Sequence, residues 1–310
     1  LIAVAAAVAT VIDPDRRTMS LASVSVRAGI NGLAALSPKL AERPALAIFR
    51  RTLGRGVVRD TELGIHRAAV RSTFSVGGSR VVLYRWGTGE RPVLVLHGWQ
   101  SRASRFSGMV EALLAEGYSV VSFDAPGHGE SDGTGATILD YLAAARYLQE
   151  LYGTFHSIVA HSFGVLSAFY AISRGVRSTS LVALSGVSEL GFLVDEFSRK
   201  VGLTRAADRA LRSTIADRLF ADIDDPWTSF DVTRLVEQVA LPILVIHDEE
   251  DRTVPVNHAD RIQDAYGPTV RTVRTTGLGH SIMSNDRVLR DSVVFVLEHD
   301  REDNQIHTNR

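Results

Sequence analysis

No cysteine occurs in the 310 residues, and that absence removes disulfide scaffolds, thiolate nucleophiles and cysteine-ligated metals from consideration. Lysine is nearly missing as well. Lys39 and Lys200 are the only two, so positive charge is carried almost wholly by arginine. Nor does either sign dominate. The 34 basic and 35 acidic side chains leave a formal charge of −1, a sum that gives no reason to expect nucleic acid or an anionic membrane as partner. Long apolar runs are missing too. The opening Leu1–Ile12, LIAVAAAVATVI, is apolar apart from Thr10, but it falls short of the ~20 residues that cross a bilayer. It reads as the beginning of a helix, the alternative being the remnant of a signal peptide or anchor. A cysteine-free chain with no stable membrane span is expected in the cytoplasm.

What is present is ample apolar material, 45% of the chain, enough for a sizeable core. Residues 1–60 read as an N-terminal helical segment, with Gly29, Gly32, Pro38 and Pro44 interrupting it. From residue 61 to 300 the pattern changes. Residues 68–76 and 80–86 read as an antiparallel pair of strands turning at Gly77-Gly78. The short apolar runs 93–96, 119–123, 157–160, 181–184 and 243–246 then alternate with helical patterns at 103–116, 137–151 and 163–174. Strands buried on both faces, with crossovers of that length, predict a mostly parallel sheet with helices on both sides. The stretch at about 188–236 has helical but no strand character and reads as a helical cap insertion; residues 301–310 read as a polar tail.

Ligands of open parallel sheets sit at the carboxyl ends of the strands. The strand ending at Ala160 runs into His161-Ser162-Phe163-Gly164 and at once into a helix. Such a turn exposes the serine hydroxyl and needs small residues two before and two after it, which Ala160 and Gly164 supply. The literal G-x-S-x-G stands elsewhere, at Gly129–Gly133, but it leads into more glycine and not into a helix, so Ser131 is read as a decoy. A serine hydroxyl needs a base, and the base needs a carboxylate to fix its tautomer. The loop after residue 246 offers Asp248, Glu249, Glu250 and Asp251, and the strand at 270–274 leads to Gly277-Leu278-Gly279-His280. Spacing favours Asp251, with Asp248 facing solvent or capping the loop and near-neutral to replacement. Of the ten histidines, His280 alone combines flanking glycine with the order serine, acid, histidine. His66 is read as solvated, His161 as packing or hydrogen-bonding beside the nucleophile, and His247 and His258 are left without a partner. Trp99, after His97-Gly98, and Phe163 are the expected backbone donors of an oxyanion hole. Trp227, Phe230 and Phe192 of the insertion are candidate substrate-pocket residues, the alternative being that they simply hold the insertion together.

The segments LVLHGW (94–99), FDAPGHGES (123–131), AHSFG (160–164), HDEEDRTVP (247–255) and GLGHS (277–281) together resemble the α/β-hydrolase superfamily over about residues 67–298. The nearest likeness is to bacterial serine esterase and lipase-like hydrolases with small helical caps. The resemblance implies an α/β-hydrolase fold: eight mostly parallel strands, the second antiparallel to the rest, with a helical cap. It also implies a carboxylic-ester hydrolase acting through an acyl-enzyme on a small-molecule ester, without metal or organic cofactor. Alternatives are an amidase, thioesterase or acyltransferase with the same triad, or a hydrolase-like binding protein without catalysis. Two departures stand out: Ala160 replaces the first glycine of the family's strand–serine–helix turn, and Asp248 stands where many relatives have glycine.

Overall fold

The computed structural model describes residues 21–52 and 54–308, so the expectation for Leu1–Ile12 lies outside the described residues. Two compact units emerge. One joins the described residues up to Gly54 with Glu189–Phe230, and the other joins Arg55–Ser188 with the described residues from Asp231 onward.

The larger unit is an eight-stranded sheet: β1 Val70–Val76, β2 Ser79–Trp86, β3 Pro92–Leu96, β4 Ser119–Asp124, β5 Ser157–His161, β6 Leu181–Leu184, β7 Ile243–Asp248 and β8 Val270–Thr275. The spatial order is β1-β2-β4-β3-β5-β6-β7-β8, with β2 antiparallel to both neighbours and every other pair from β4 onward parallel. Gly77 and Gly78 make the β1–β2 turn at φ 55° and 79°, a left-handed pair that matches the twist of a two-residue hairpin. Strands β3, β4, β5, β6 and β7 are buried at every position, as strands covered on both faces must be. Helices α3 Leu63–Ala68, α4 Ser107–Ala115, α5 Ile138–Tyr152, α6 Phe163–Ser173, α10 Asn257–Tyr266 and α11 Asp286–Thr308 accompany the sheet. The last of these carries helix into the stretch read as a polar tail. Parallel register aligns the strand ends: His161 pairs with Leu184, Leu184 with Ile246, and Asp248 with Thr275. The segments that leave β5, β7 and β8 therefore emerge at one edge of the sheet.

The smaller unit is helical: α1 Leu21–Leu36, α2 Pro38–Phe49, α7 Leu190–Val201, α8 Arg205–Thr214 and α9 Pro226–Ser229. Stretches far apart in sequence pack on each other here. The Asn31 amide donates to Gly202 O at 2.9 Å and accepts from Thr204 N at 2.9 Å, and the Phe49 and Phe197 rings meet edge-on at 5.3 Å. Pro38 opens α2 at a position where its missing N–H costs nothing. Pro44, expected to break the helix, lies inside it; the loss is confined to one i→i−4 bond. No helix of the described residues is long and apolar enough to cross a membrane.

Candidate active site

Ser162 sits between β5 and α6 with φ 56° and ψ −119°, a conformation that costs a non-glycine residue about 1–3 kcal/mol. Its neighbours hold it there. Ser162 N donates to Leu184 O at 3.0 Å, and Ser162 O accepts from Val165 N and Val187 N. Two residues on, a Cβ at Gly164 would stand 2.4 Å from Leu96 O and 2.8 Å from His97 O, so the helix start can lie against β3 only if that residue is glycine. A strand, one strained residue and a helix thus aim the serine side chain out of the sheet edge.

Along that edge three groups stand in series. The Ser162 hydroxyl lies 3.0 Å from His280 Nε2, and His280 Nδ1 lies 2.7 Å from Asp251 Oδ2. Asp251 Oδ1 is occupied by the N–H groups of Thr253 at 2.8 Å and Val254 at 2.9 Å. That leaves Oδ2 to receive the Nδ1 proton, so Nε2 presents a lone pair to the serine hydroxyl. Burial alone would raise the Asp251 carboxyl, but hydrogen bonds from His247 and His280 outweigh it and hold the group well below the usual carboxylate range.

Buried histidines hold this series in place. His161 is buried, and its Nε2–H donates to His280 O at 2.9 Å, which fixes the backbone of His280. His247 is fully buried and donates from Nε2 to Val254 O at 2.8 Å, with Asp251 Oδ2 at 3.5 Å. His258 meets the Ser188 hydroxyl at 2.6 Å. His66, read as solvated, is buried and pairs with Glu130 at 2.9 Å.

Asp248 takes one of its two expected places and not the other. It does not face solvent: it is fully buried and caps the loop that carries His280. Oδ1 accepts from Glu250 N at 3.0 Å and Gly279 N at 3.1 Å, and Oδ2 from the Thr275 hydroxyl at 2.8 Å and Leu278 N at 3.0 Å. An asparagine there would turn its NH₂ toward at least one N–H donor. Asp248→Asn is therefore expected to lower stability by about 1–3 kcal/mol, the scale of a buried donor left unpaired, and to loosen His280. Urea unfolding of the variant measures this, and a midpoint equal to the parent's would refute it.

The residues expected to donate to an oxyanion are neighbours, the Trp99 and Phe163 rings lying 5.7 Å apart. Phe163 N is the first of α6 and has no intrahelical acceptor. Trp99 N is oriented indirectly. Ala125 N donates to His97 Nε2 at 3.0 Å, so the His97 proton is on Nδ1 and is donated to Gly98 O at 2.8 Å. Gly98 O and Trp99 N–H belong to one planar peptide, so fixing the carbonyl fixes the N–H opposite. A Cβ on Gly98 would stand 2.9 Å from Ser162 Cβ, a measure of how closely this loop approaches the serine.

The other serine candidate does something else. Ser131 is fully buried; its hydroxyl donates to Asp124 O and accepts from Val82 N at 2.8 Å, tying the glycine-rich loop to β2. The three pocket candidates belong to the helical unit. Phe230 is fully buried with its ring 4.6 Å from that of Phe220, Trp227 lies under the Arg212 guanidinium at 5.3 Å, and Phe192 is half-buried.

Burial holds His128 and His161 down to about 3 and His258 to about 4, against ~6.5 in an unfolded chain. The unfolded state then binds more protons between these values, so stability is full above pH ~6.5 and falls as the pH drops toward 4, by about 1.4 kcal/mol per unit for each group. Buried carboxylates held low, such as Asp251 and Asp248, add their own loss only below about pH 5, so the change between pH 7 and about 5 reports the histidines. Urea midpoints that do not change between pH 7 and about 5 would contradict this.

The chain belongs to the alpha/beta hydrolase family, whose match spans residues 93–291. A dihydrolipoyllysine-residue acetyltransferase component of an acetoin cleaving system, from Cupriavidus necator, is 31% identical over 159 residues, 50% of this chain and 42% of that protein. The chain thus matches less than half the length of that relative. Among solved structures, a putative lipase from Acinetobacter baumannii superposes with TM-score 0.56 at 16% identity, covering 94% of this chain and 100% of that one. A monoacylglycerol lipase from Paleococcus ferrophilus gives 0.55 at 21%, covering 71% and 99%. The thioesterase domain of a curacin biosynthetic pathway gives 0.55 at 15%, covering 74% and 99%. At these identities the likeness is one of fold.

Proposed function

We propose that this protein is a serine hydrolase that cleaves carboxylic esters through an acyl-enzyme. The observation that carries the reading is the unbroken series Ser162 Oγ–His280 Nε2 at 3.0 Å and His280 Nδ1–Asp251 Oδ2 at 2.7 Å, set on a serine with positive φ. Ser162 Oγ bonds to the ester carbonyl carbon while its proton passes to His280 Nε2. The resulting oxyanion lies toward the N–H groups of Trp99 and Phe163. His280 returns the proton to the leaving alkoxide as the ester C–O bond breaks. Water then repeats the sequence on the acyl-enzyme and releases the acid. Asp251 stays ionised throughout and stabilises the imidazolium.

An acyl-enzyme can also be resolved by an alcohol, amine or thiol, and the acetyltransferase named above makes transfer the second reading. Both readings are tested by a panel of activated esters of graded acyl length, run with and without an alcohol acceptor. Hydrolysis of short-chain esters in water alone supports the first, and product formed only with the acceptor supports the second. No turnover of any ester by a folded protein would leave a binding role in place of both.

A further inference from the structure

The formal charge of −1 hides a segregation. Residues 16–59 hold nine arginines and lysines and one carboxylate, Glu42, for a net +8; the remainder is then −9. Much of that positive charge lies on and just after helix α2. At ~100° per residue, Lys39, Leu40, Arg43 and Ala47 fall within about a third of the helix circumference, and all four are exposed, as are Arg50 and Arg51 at its end. The opposite face is fully buried at Ala41 and Ala45. Glu42 lies off the exposed face and is 3.4 Å from Arg218. Among the described residues no carboxylate pairs with Lys39, Arg43, Arg50 or Arg51.

The cations do not stand alone. Leu40 is 51% exposed, and Leu36, the last residue of α1, is 80% exposed. Both are large aliphatic side chains left exposed, and both adjoin the basic residues in the chain. Upstream in the same chain stands the apolar sequence LIAVAAAVATVI, with Arg16-Arg17 shortly after it. Basic side chains beside protruding leucines fit a surface that is anionic outside and apolar just beneath. Nucleic acid would satisfy the arginines but offers no apolar layer for Leu36 and Leu40.

We infer that the exposed face of α2, with Leu36, Leu40, Lys39, Arg43, Arg50 and Arg51, is a docking surface for an anionic phospholipid bilayer. This inference is independent of the proposed ester chemistry.

The test is sedimentation of the full chain with phosphatidylcholine vesicles, with and without about 30% phosphatidylglycerol. Binding is expected only to the anionic vesicles. It should fall steeply in about 0.5 M salt, where the screening length is near 4 Å. The variant K39Q/R43Q/R50Q/R51Q should bind about 10²–10³-fold more weakly. L36S/L40S should abolish whatever binding survives the salt. Circular dichroism and thermal melting, which do not depend on catalysis, verify that each variant is folded. Equal binding to neutral and anionic vesicles overturns the inference. So does parental binding by the folded quadruple variant, which would move attachment to the apolar opening sequence. Failure to bind either vesicle, with retention of short duplex DNA or RNA instead, would make the face a nucleic-acid site.

Discussion

Ser162→Ala is expected to lower ester turnover by about 10⁵–10⁶-fold, the scale on which a serine nucleophile acts together with its base. The replacement removes one oxygen and leaves the frame around it. The backbone at that position is held by Leu184, Val165 and Val187, and those bonds do not involve the side chain. Alanine carries the same Cβ strain at positive φ as serine, so thermal unfolding should stay close to the parent's. A fluorophosphonate probe should label Ser162 and no other serine, because its hydroxyl alone stands 3.0 Å from the imidazole that Asp251 orients. Ser131→Ala should do the reverse. It should keep the label and lose stability, since Val82 N would lose its buried acceptor. A label on Ser131, or substantial turnover by folded Ser162→Ala, would remove Ser162 from the nucleophile's place.

The second large effect concerns the carboxylate. Asp251→Asn is expected to cost about 10⁴-fold in turnover, as the corresponding change does in the triad of a serine protease. The reason can be read from the loop. Thr253 N and Val254 N both donate to Asp251 Oδ1, and Val254 O takes the His247 proton. In the variant, the amide oxygen must stay on those two N–H groups, which leaves NH₂ facing His280 Nδ1. His280 can then accept there only by moving its own proton to Nε2, where it meets the serine hydroxyl with a donor and not a lone pair. Asp251→Ala removes the misdirecting donor, so it should be less damaging to the tautomer but more damaging to the loop. Turnover and urea unfolding measured together separate the two effects. Near-parental turnover by Asp251→Asn would assign the supporting acid to another residue.

Much of this arrangement is legible in the residues. The choice between Ser162 and Ser131 rests on the residues immediately after each serine. Ser131 leads into Asp132-Gly133-Thr134-Gly135, which continues as loop, whereas Phe163–Ser173 is a helix. The small residue required at 164 is required for the reason that the structure displays, the approach of β3 carbonyls. The sequence leaves Asp248 open between solvent and a loop cap, because a strand's last residue has no periodicity to reveal which way its side chain turns. A carboxylate among four in a short loop looks solvated until the partner loop is brought against it. His66 misleads on similar grounds, since its short helix has too few apolar positions to show which face is covered. Summed charge also conceals the basic face of α2, because a total carries no positions.

By itself, the sequence determined that a parallel sheet forms and that serine, acid and histidine leave it in that order. Alternation of apolar runs and helical patterns is local, and strand ends are marked by residues adjacent in the chain. Only the tertiary structure decided which carboxylate meets His280, that Asp248 ties down the histidine loop, and that His161 and His247 hold His280 and the Asp251 loop in place. Those contacts join residues as much as 119 positions apart, as from His161 to His280. Their geometry depends on the β5–β6–β7–β8 register, and no local preference of the chain encodes that register.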